Sequence, residues 1–340
     1  MFELVAGLAG GGVTVVGPEG EVDEPAHADL VVFTSGSTGG SKGVRLTLEN
    51  LEAAASASAQ HLGHGEDDTW LLALPMHHVG GLSIVVRQLY AGGTIELLPG
   101  FDETSFAVAL RGDVTMVSVV PTMLTRIIEH GPFTDLRAVL VGGGPIPEGL
   151  LERAADAGLP VLPTYGMTET FGQVATLKPG SPLDHKAHPL PGVELRLEHD
   201  GRIEVKGDQV SPGYLGEPDR PEPWLVTNDL GALDDDGAVR VLGRADTVIV
   251  SGGEKVSPER VEAVLAEHPS IDELVVVGVP DLEWGEIIVC LYQGRSADLD
   301  GWARARLPGF MVPKRWVLVE AVPTTSVGKP DRAKARALAK

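Results

Sequence analysis

Residues 114–158, VTMVSVVPTMLTRIIEHGPFTDLRAVLVGGGPIPEGLLERAADAG, decide the fold class. Two β-branched runs, VTMVSVV ahead of Pro121 and LRAVLVGGG ahead of Pro145, each give way to an amphipathic segment, TMLTRIIEH and PEGLLERAADAG. Apolar strands alternating with such helices specify a parallel sheet covered on both faces. Upstream, ADLVVF (28–33) breaks into a polar loop at Thr34, and the Ala-rich stretch 47–61 has no Gly or Pro and reads as a helix, giving strand, loop, helix. Downstream of Val193 the strands shorten. VELRLEHDGRIEVKG and GALDDDGAVRVLG carry HDG and DDDG turn signals, so that portion is antiparallel. Beyond Gly243 come a helix opened by Ser257-Pro258, the strands ELVVVGVP and EIIVCLYQG, and a final Lys/Arg-rich helix, DRAKARALAK. The chain therefore divides into residues 1–243 and 244–340, an α/β domain and a smaller α+β domain.

The 340 residues carry a net charge of −21 and one cysteine. That acidity argues against a protein that wraps nucleic acid or lies on anionic lipid, while a local basic patch for a phosphate ligand stays compatible with it. Cys290, inside IIVCLY, has no internal disulfide partner and reads as a buried small hydrophobe in a reducing compartment. No apolar run reaches the ~18 residues of a spanning helix, and MFELVAGLAGGG lacks a basic leader, so a cytoplasmic location is expected.

Chemistry concentrates in four segments. Thr34 to Gly43, TSGSTGGSKG, packs glycines, hydroxyls and one lysine into ten residues, a cradle for an anion. It lacks the spacing of a Walker A loop, and its G-x-S-x-G match (Gly39 to Gly43) lies too far past the strand for a nucleophile elbow. In Thr164-Tyr165-Gly166-Met167-Thr168-Glu169-Thr170, adjacent Thr and Glu suit a phosphate oxygen and a Mg²⁺ ion, or equally a turn with a helix cap. The third segment holds Asp229, Arg244, Asp246 and the loop Ser251-Gly252-Gly253-Glu254-Lys255, where an acid and an arginine separated by a hairpin can converge on a ribose. The fourth, Pro323 to Lys329, presents a single lysine. His61/His64 and His185/His188 have i, i+3 spacing, but no further ligand completes a metal set.

The order and spacing of TSGSTGGSKGV, GGGPIP, TYGMTET, GRIEVKGDQVSPGY, TNDLG, GRADTVIVSGGEKVSPERVE, WGE (284–286) and PTTSVGKPDR resemble the adenylate-forming superfamily of acyl-CoA synthetases, adenylation domains and luciferases over about residues 30–332. The resemblance implies the adenylate-forming α/β fold, with a shortened large N-terminal domain and a small α+β lid. It implies an AMP-forming acyl-CoA ligase: ATP and a carboxylate give an acyl-adenylate and pyrophosphate, and a thiol, usually coenzyme A, then displaces AMP.

By the same resemblance, Thr34, Ser35, Gly36, Ser37, Thr38, Gly39 and Lys42 hold the β- and γ-phosphates. Thr168 touches the α-phosphate and Glu169 places Mg²⁺. Gly143, Gly144 and Tyr165 flank the adenine, and Asp229 and Arg244 bind the ribose. Lys329 is the adenylation lysine, Asp246 the hinge, and Gly252, Gly253 and Lys255 belong to the loop that serves the CoA step after the lid rotates.

Residues 75–83, PMHHVGGLS, with Arg87, and TYGMTETFGQVATL are similar to the o-succinylbenzoate-CoA ligases of menaquinone synthesis. That substrate is a dicarboxylate. Arg87 on a mostly apolar stretch is the candidate partner of its second carboxylate, or else a solvent-facing or internally paired arginine, and His78 is a candidate gate. Another aryl- or acyl-CoA ligase, or an adenylation enzyme loading a carrier protein, are the alternatives. The phosphate loop begins earlier here than in most relatives, which leaves the acyl and CoA sites more open or calls for a second subunit, so a homo-oligomer is open. Asn228 stands where glycine is commoner, a change that Asn's backbone tolerance accepts.

Overall fold

Thr47 caps a helix through both halves of a capping box with Asn50, and Gly63 in the left-handed region ends it, so Leu48–Leu62 is helical, in keeping with its Ala-rich sequence. The computed structural model describes residues 14–16, 28–34, 42–147, 149–183, 186–296, 298–324 and 330–339. Two compact units emerge. The first comprises residues 1–143, 151–227 and 232–240, the second 144–150, 228–231 and 241–340.

A seven-stranded sheet dominates the first unit, in the order His188–Pro189, Gly172–Thr176, Val161–Met167, Ala138–Val141, Met116–Val119, Thr69–Leu72 and Thr94–Leu97. The last five run parallel, and the first two pair antiparallel. Trp70, Leu72, Met116, Leu140 and Leu162 pack on the helix Val79–Ala91 through Ile84 and Val85. Parallel strands buried on both faces explain why VTMVSVV and LRAVLV read as continuous apolar runs.

One sequence expectation changes. Residues 28–61 are not strand, loop, helix: Lys42–Leu46 is a second strand, antiparallel to Leu30–Thr34 with Thr34 opposite Lys42, and the helix follows it. The polar loop therefore joins a hairpin. Val44, Arg45 and Leu46 are buried, and a side chain at Gly43 would come within 2.9 Å of Val31. KGVRL is too short and too charged to announce itself as a strand, and only close backbone approach across the sheet reveals it. Thr14–Val16 and Gly213–Tyr214 complete this four-stranded sheet.

The hairpins signalled by HDG and DDDG are present: Glu194–Leu197 pairs antiparallel with Arg202–Lys206, and Leu225–Leu233 lies beside Val239–Arg244 across the 234–238 turn. Most of the second unit is built on the long hairpin Ile271–Asp281 and Gly285–Gly294, extended by Ile249–Ser251, Glu254–Val256 and the parallel strand Arg315–Leu318. The helices Pro258–Leu265 and Leu299–Arg306 cover one face of it, with Cys290 fully buried among Val276, Ile288 and Leu265. Among the described residues no helix is long and apolar enough to cross a membrane.

Candidate active site

In the first unit, the strand Val161–Met167 runs into one 3₁₀ turn, Thr168–Thr170. Phe171 closes it at φ 48°, a conformation rare for a bulky side chain, and its N–H donates to the Thr168 carbonyl at 3.0 Å. Thr170 Oγ1 reinforces the turn by donating to the carbonyls of Met167 and Gly172. The result is that Tyr165, Thr168 and Glu169 stand at the carboxyl end of a parallel strand, where open α/β sheets take their ligands. Gly143 follows the neighbouring strand at the same end with φ 77°, and Gly142 must be glycine because a Cβ there would meet Thr164 at 2.7 Å.

Glu169 is held twice. Its carbonyl accepts from the Ser211 N–H at 2.8 Å, and its Oε1 accepts from the Tyr214 hydroxyl at 2.8 Å. Burial and the Glu169 charge push the Tyr214 phenol up, which keeps it a donor. Lys42 Nζ lies 4.8 Å over the Tyr214 ring and 3.9 Å from Glu217. Arg45, buried, donates to the Tyr214 carbonyl and pairs with Asp219 at 2.8 Å. Thr34 Oγ1 donates to the Lys42 carbonyl at 3.3 Å, so Thr34 and Lys42, at the two ends of the Gly/Ser-rich segment, meet, while Ser35, Gly36, Ser37, Thr38 and Gly39 lie outside the described residues. A Mg²⁺ ion that arrives with a nucleotide takes one or two carboxylate oxygens and fills its shell with phosphate and water. Glu169 suits it, because Tyr214 is the only described residue bonded to its carboxylate and engages Oε1 alone. Among the described residues no group of three His, Cys, Asp or Glu offers a resident metal cage.

His78 caps the helix Val79–Ala91 with extended backbone, its ring 4.2 Å from that of His77. Arg87 lies on the buried face of this helix, 5% exposed, with its guanidinium 5.4 Å from the Trp70 ring centroid. A side chain on Gly172 would stand 3.1 Å from Arg87 Nη2 and 3.5 Å from Ser83 Oγ. Among the described residues no carboxylate pairs with it. Burial lowers its pKa to about 9, which leaves it cationic at neutral pH. Asp68 is already committed to Arg137, Thr115 Oγ1 and the Gly65 N–H. Those bonds outweigh burial and hold its pKa at about 2. His64, edge-on to Trp70, is pushed down to about 4 by burial and by the charge of Arg87, so it is neutral and offers no counter-charge.

The second unit gathers Asp229, Arg244 and Asp246 into one cluster. Arg244 grips Asp246 through two bonds of 2.9 and 2.8 Å and reaches Asp229 at 3.2 Å. The Asp246 hydrogen bonds raise its pKa against burial. Gly252 (φ 60°) and Gly253 (φ 86°) turn between Ile249–Ser251 and Glu254–Val256; the Gly252 N–H donates to the Trp284 carbonyl, and a Cβ there would stand 2.8 Å from the indole. Two separate motifs, SGGEK and WGE, thus meet. Lys255 is exposed opposite Val250, and Gly144 has open space around it. Lys329 lies outside the described residues. Just beyond it, Arg332 is bound by Glu262, by Glu259 at 3.0 Å and by the Val276 carbonyl at 2.7 Å.

Tyr214, Gly172, Ser83, Glu259, Glu262 and Arg332 escaped the sequence reading. All six lie inside quoted motifs but have neither unusual composition nor ligand-like spacing, and Glu262 looks like any helix surface acid.

Residues 10–215 match the AMP-binding enzyme family, and residues 260–329 match the AMP-binding enzyme C-terminal domain. The chain is 39% identical over 366 residues to a 2-succinylbenzoate–CoA ligase of Geobacillus kaustophilus, covering 96% of this chain and 75% of that protein. It is 38% identical over 339 residues to the protein of the same name from Bacillus cereus, covering 92% and 70%. The o-succinylbenzoate CoA synthetase of Bacillus subtilis, in complex with its acyl-adenylate intermediate OSB-AMP, superimposes with a TM-score of 0.86 at 34% identity over 91% of this chain and 69% of that one. The same enzyme with ATP and magnesium gives 0.84 at 33% identity, over 93% and 72%. A family match over more than half the chain, with relatives 38–39% identical over 70% or more of their own length, makes this chain a member of the AMP-binding enzyme family.

Proposed function

We propose that this chain is an ATP-dependent acid–thiol ligase that converts o-succinylbenzoate to its CoA thioester in menaquinone biosynthesis. A buried Arg87 with no described carboxylate partner carries the choice of a dicarboxylate. An uncompensated guanidinium in an apolar setting is costly unless an anion joins it, and a second substrate carboxylate would supply that anion. Gly172, without a side chain, and Ser83 flank it, and His78 opens the same helix.

In the first half-reaction a carboxylate oxygen of the substrate attacks the α-phosphorus of ATP, the bond to the β-phosphate bridging oxygen breaks, and pyrophosphate leaves. Lys42 and the loop from Thr34 cradle the β- and γ-phosphates, Thr168 donates to the α-phosphate, Tyr165, Gly143 and Gly144 flank the adenine, and Asp229 with Arg244 takes the ribose hydroxyls. Glu169 holds Mg²⁺, which supplies positive charge against the phosphates. Lys329 bridges carboxylate and α-phosphate as charge develops, a preorganised electrostatic role. In the second half-reaction the CoA sulfur attacks the acyl carbon, the bond to AMP oxygen breaks, and the thiol proton passes to solvent. Asp246 is the hinge for the change between the two, and Gly252, Gly253 and Lys255 serve the CoA step.

A pyrophosphate-release assay across a panel of aryl, fatty and dicarboxylic acids, with and without CoA, tests the reading. O-succinylbenzoate is expected to give sustained turnover only with CoA, and Lys329→Ala to abolish adenylation. Turnover with another acid alone would reassign the substrate; pyrophosphate exchange without any free CoA thioester would reassign the acceptor to a carrier protein.

A further inference from the structure

We infer that Tyr214 is a positioning residue, whose phenol pins one carboxylate oxygen of Glu169 so that the other is aimed at the metal that accompanies the nucleotide. The inference rests on the reading of Glu169 as the Mg²⁺ ligand. Its first ground is geometric: the Tyr214 hydroxyl donates to Oε1 at 2.8 Å, while among the described residues nothing bonds Oε2. A glutamate on a single 3₁₀ turn has three side-chain torsions to order before it can ligate, and a fixed donor removes much of that freedom beforehand.

The second ground is where the phenol is anchored. Gly213–Tyr214 pairs with the strand Lys42–Leu46, with Tyr214 opposite Val44, and the Leu215 N–H donates to the Gly43 carbonyl at 2.7 Å. Arg45 donates to the Tyr214 carbonyl at 3.1 Å, and Lys42 sits over the ring. Tyr214 is therefore built onto the strand that leaves the phosphate loop, while its hydroxyl reaches the turn that carries Thr168 and Glu169. One side chain sets the distance between two nucleotide-binding segments that are far apart in sequence. Glu169 is also held at its carbonyl by Ser211, two residues before Gly213, so the same stretch of chain fixes both ends of the residue.

Tyr214→Phe removes the hydroxyl and keeps the ring under Lys42. With Mn²⁺ as the probe, titrated by electron paramagnetic resonance into the full chain with a non-hydrolysable ATP analogue, the variant is expected to bind the metal about tenfold more weakly, at the low end of what loss of an outer-shell partner costs. The KM for the carboxylate and the thermal unfolding midpoint stay at wild-type values. Glu169→Gln serves as the reference and is expected to lose more affinity than Tyr214→Phe. Wild-type Mn²⁺ affinity in Tyr214→Phe, beside loss in Glu169→Gln, overturns the inference alone. Wild-type affinity in Glu169→Gln overturns the reading of Glu169 beneath it. A fall in unfolding midpoint with parallel weakening of metal and carboxylate binding makes Tyr214 merely structural, and the inference falls.

Discussion

Arg87 and Arg332 are both drawn into the protein, one in each unit, yet they are treated in opposite ways. Arg332 receives two carboxylates and a carbonyl: Glu262, Glu259 and Val276. Those acids raise its pKa although burial lowers it. Arg87 has an indole face and no described acid, and burial lowers its pKa to about 9. A saturated cation is part of the scaffold, because its interactions are complete without a ligand. An unsaturated one is costly in the empty protein, and that cost is recovered only when an anion arrives. Asp68, which like Arg87 acts on His64, is bound to Arg137.

The contrast breaks first at Arg332. Arg332→Ala strands Glu262 in the interior and is expected to cost about 3–5 kcal/mol, read as a lower denaturant midpoint. Adding Glu262→Gln should recover part of it. A loss below about 1 kcal/mol would put Arg332 among ordinary surface pairs.

Arg87→Met should do the reverse. Replacing an unpaired buried cation by an apolar side chain of similar reach leaves stability unchanged or raises it. It removes a charged contact worth about 1.5–3 kcal/mol, so kcat/KM for o-succinylbenzoate should fall roughly 10- to 100-fold. The same variant tested on a monocarboxylic acid of similar shape should lose little. If stability falls as in Arg332→Ala, Arg87 is scaffold too.

Acid sharpens the comparison. His64 has its pKa lowered from 6.5 to about 4, so the stability it confers as a neutral ring is full above 6.5 and is lost as pH falls towards 4. Asp68 is lowered from 3.8 to about 2, so what its pairing with Arg137 confers is full above 3.8 and is lost as pH falls towards 2. Stability should therefore decline in two stages, the second about 2 kcal/mol in size. Asp68→Asn should flatten that second stage, whereas a single transition near pH 4 would separate the two groups from this region.

The sequence made the parallel sheet and the antiparallel hairpins legible, because each rests on local patterning: β-branched runs, helix caps and turn dipeptides; the nucleotide motifs, ambiguous one by one, were legible through their resemblance to a family. That Asp229 and Arg244 can converge was legible, since a hairpin brings its flanks together, while their common role came from the family resemblance. The Lys42–Leu46 strand was not legible, because a five-residue run with a lysine and an arginine has no period to read. Neither was Tyr214, whose significance depends on a cross-strand register, nor the state of Arg87, which depends on its burial beside Trp70 with no described acid against it. Charge compensation is a property of three-dimensional neighbours, and composition is silent about it.

Arg244 lies between the two extremes and sets the lower bound of the series. It is paired with Asp229 and Asp246, like Arg332, but its side chain is 40% exposed, so water competes for every one of those bonds. Exposed pairs of this kind contribute about 0–1 kcal/mol. Asp246→Ala is therefore expected to shift the unfolding free energy by about 0.5 kcal/mol, and still less in high salt. Its effect should appear in kinetics. Releasing one of two competing acids leaves Arg244 with Asp229 alone, so the adenylation step should keep its ATP KM, while a hinge at Asp246 predicts a slower thioester-forming step measured from preformed acyl-adenylate. An equal slowing of both steps would remove Asp246 from the hinge and leave it as one acid of a solvated pair.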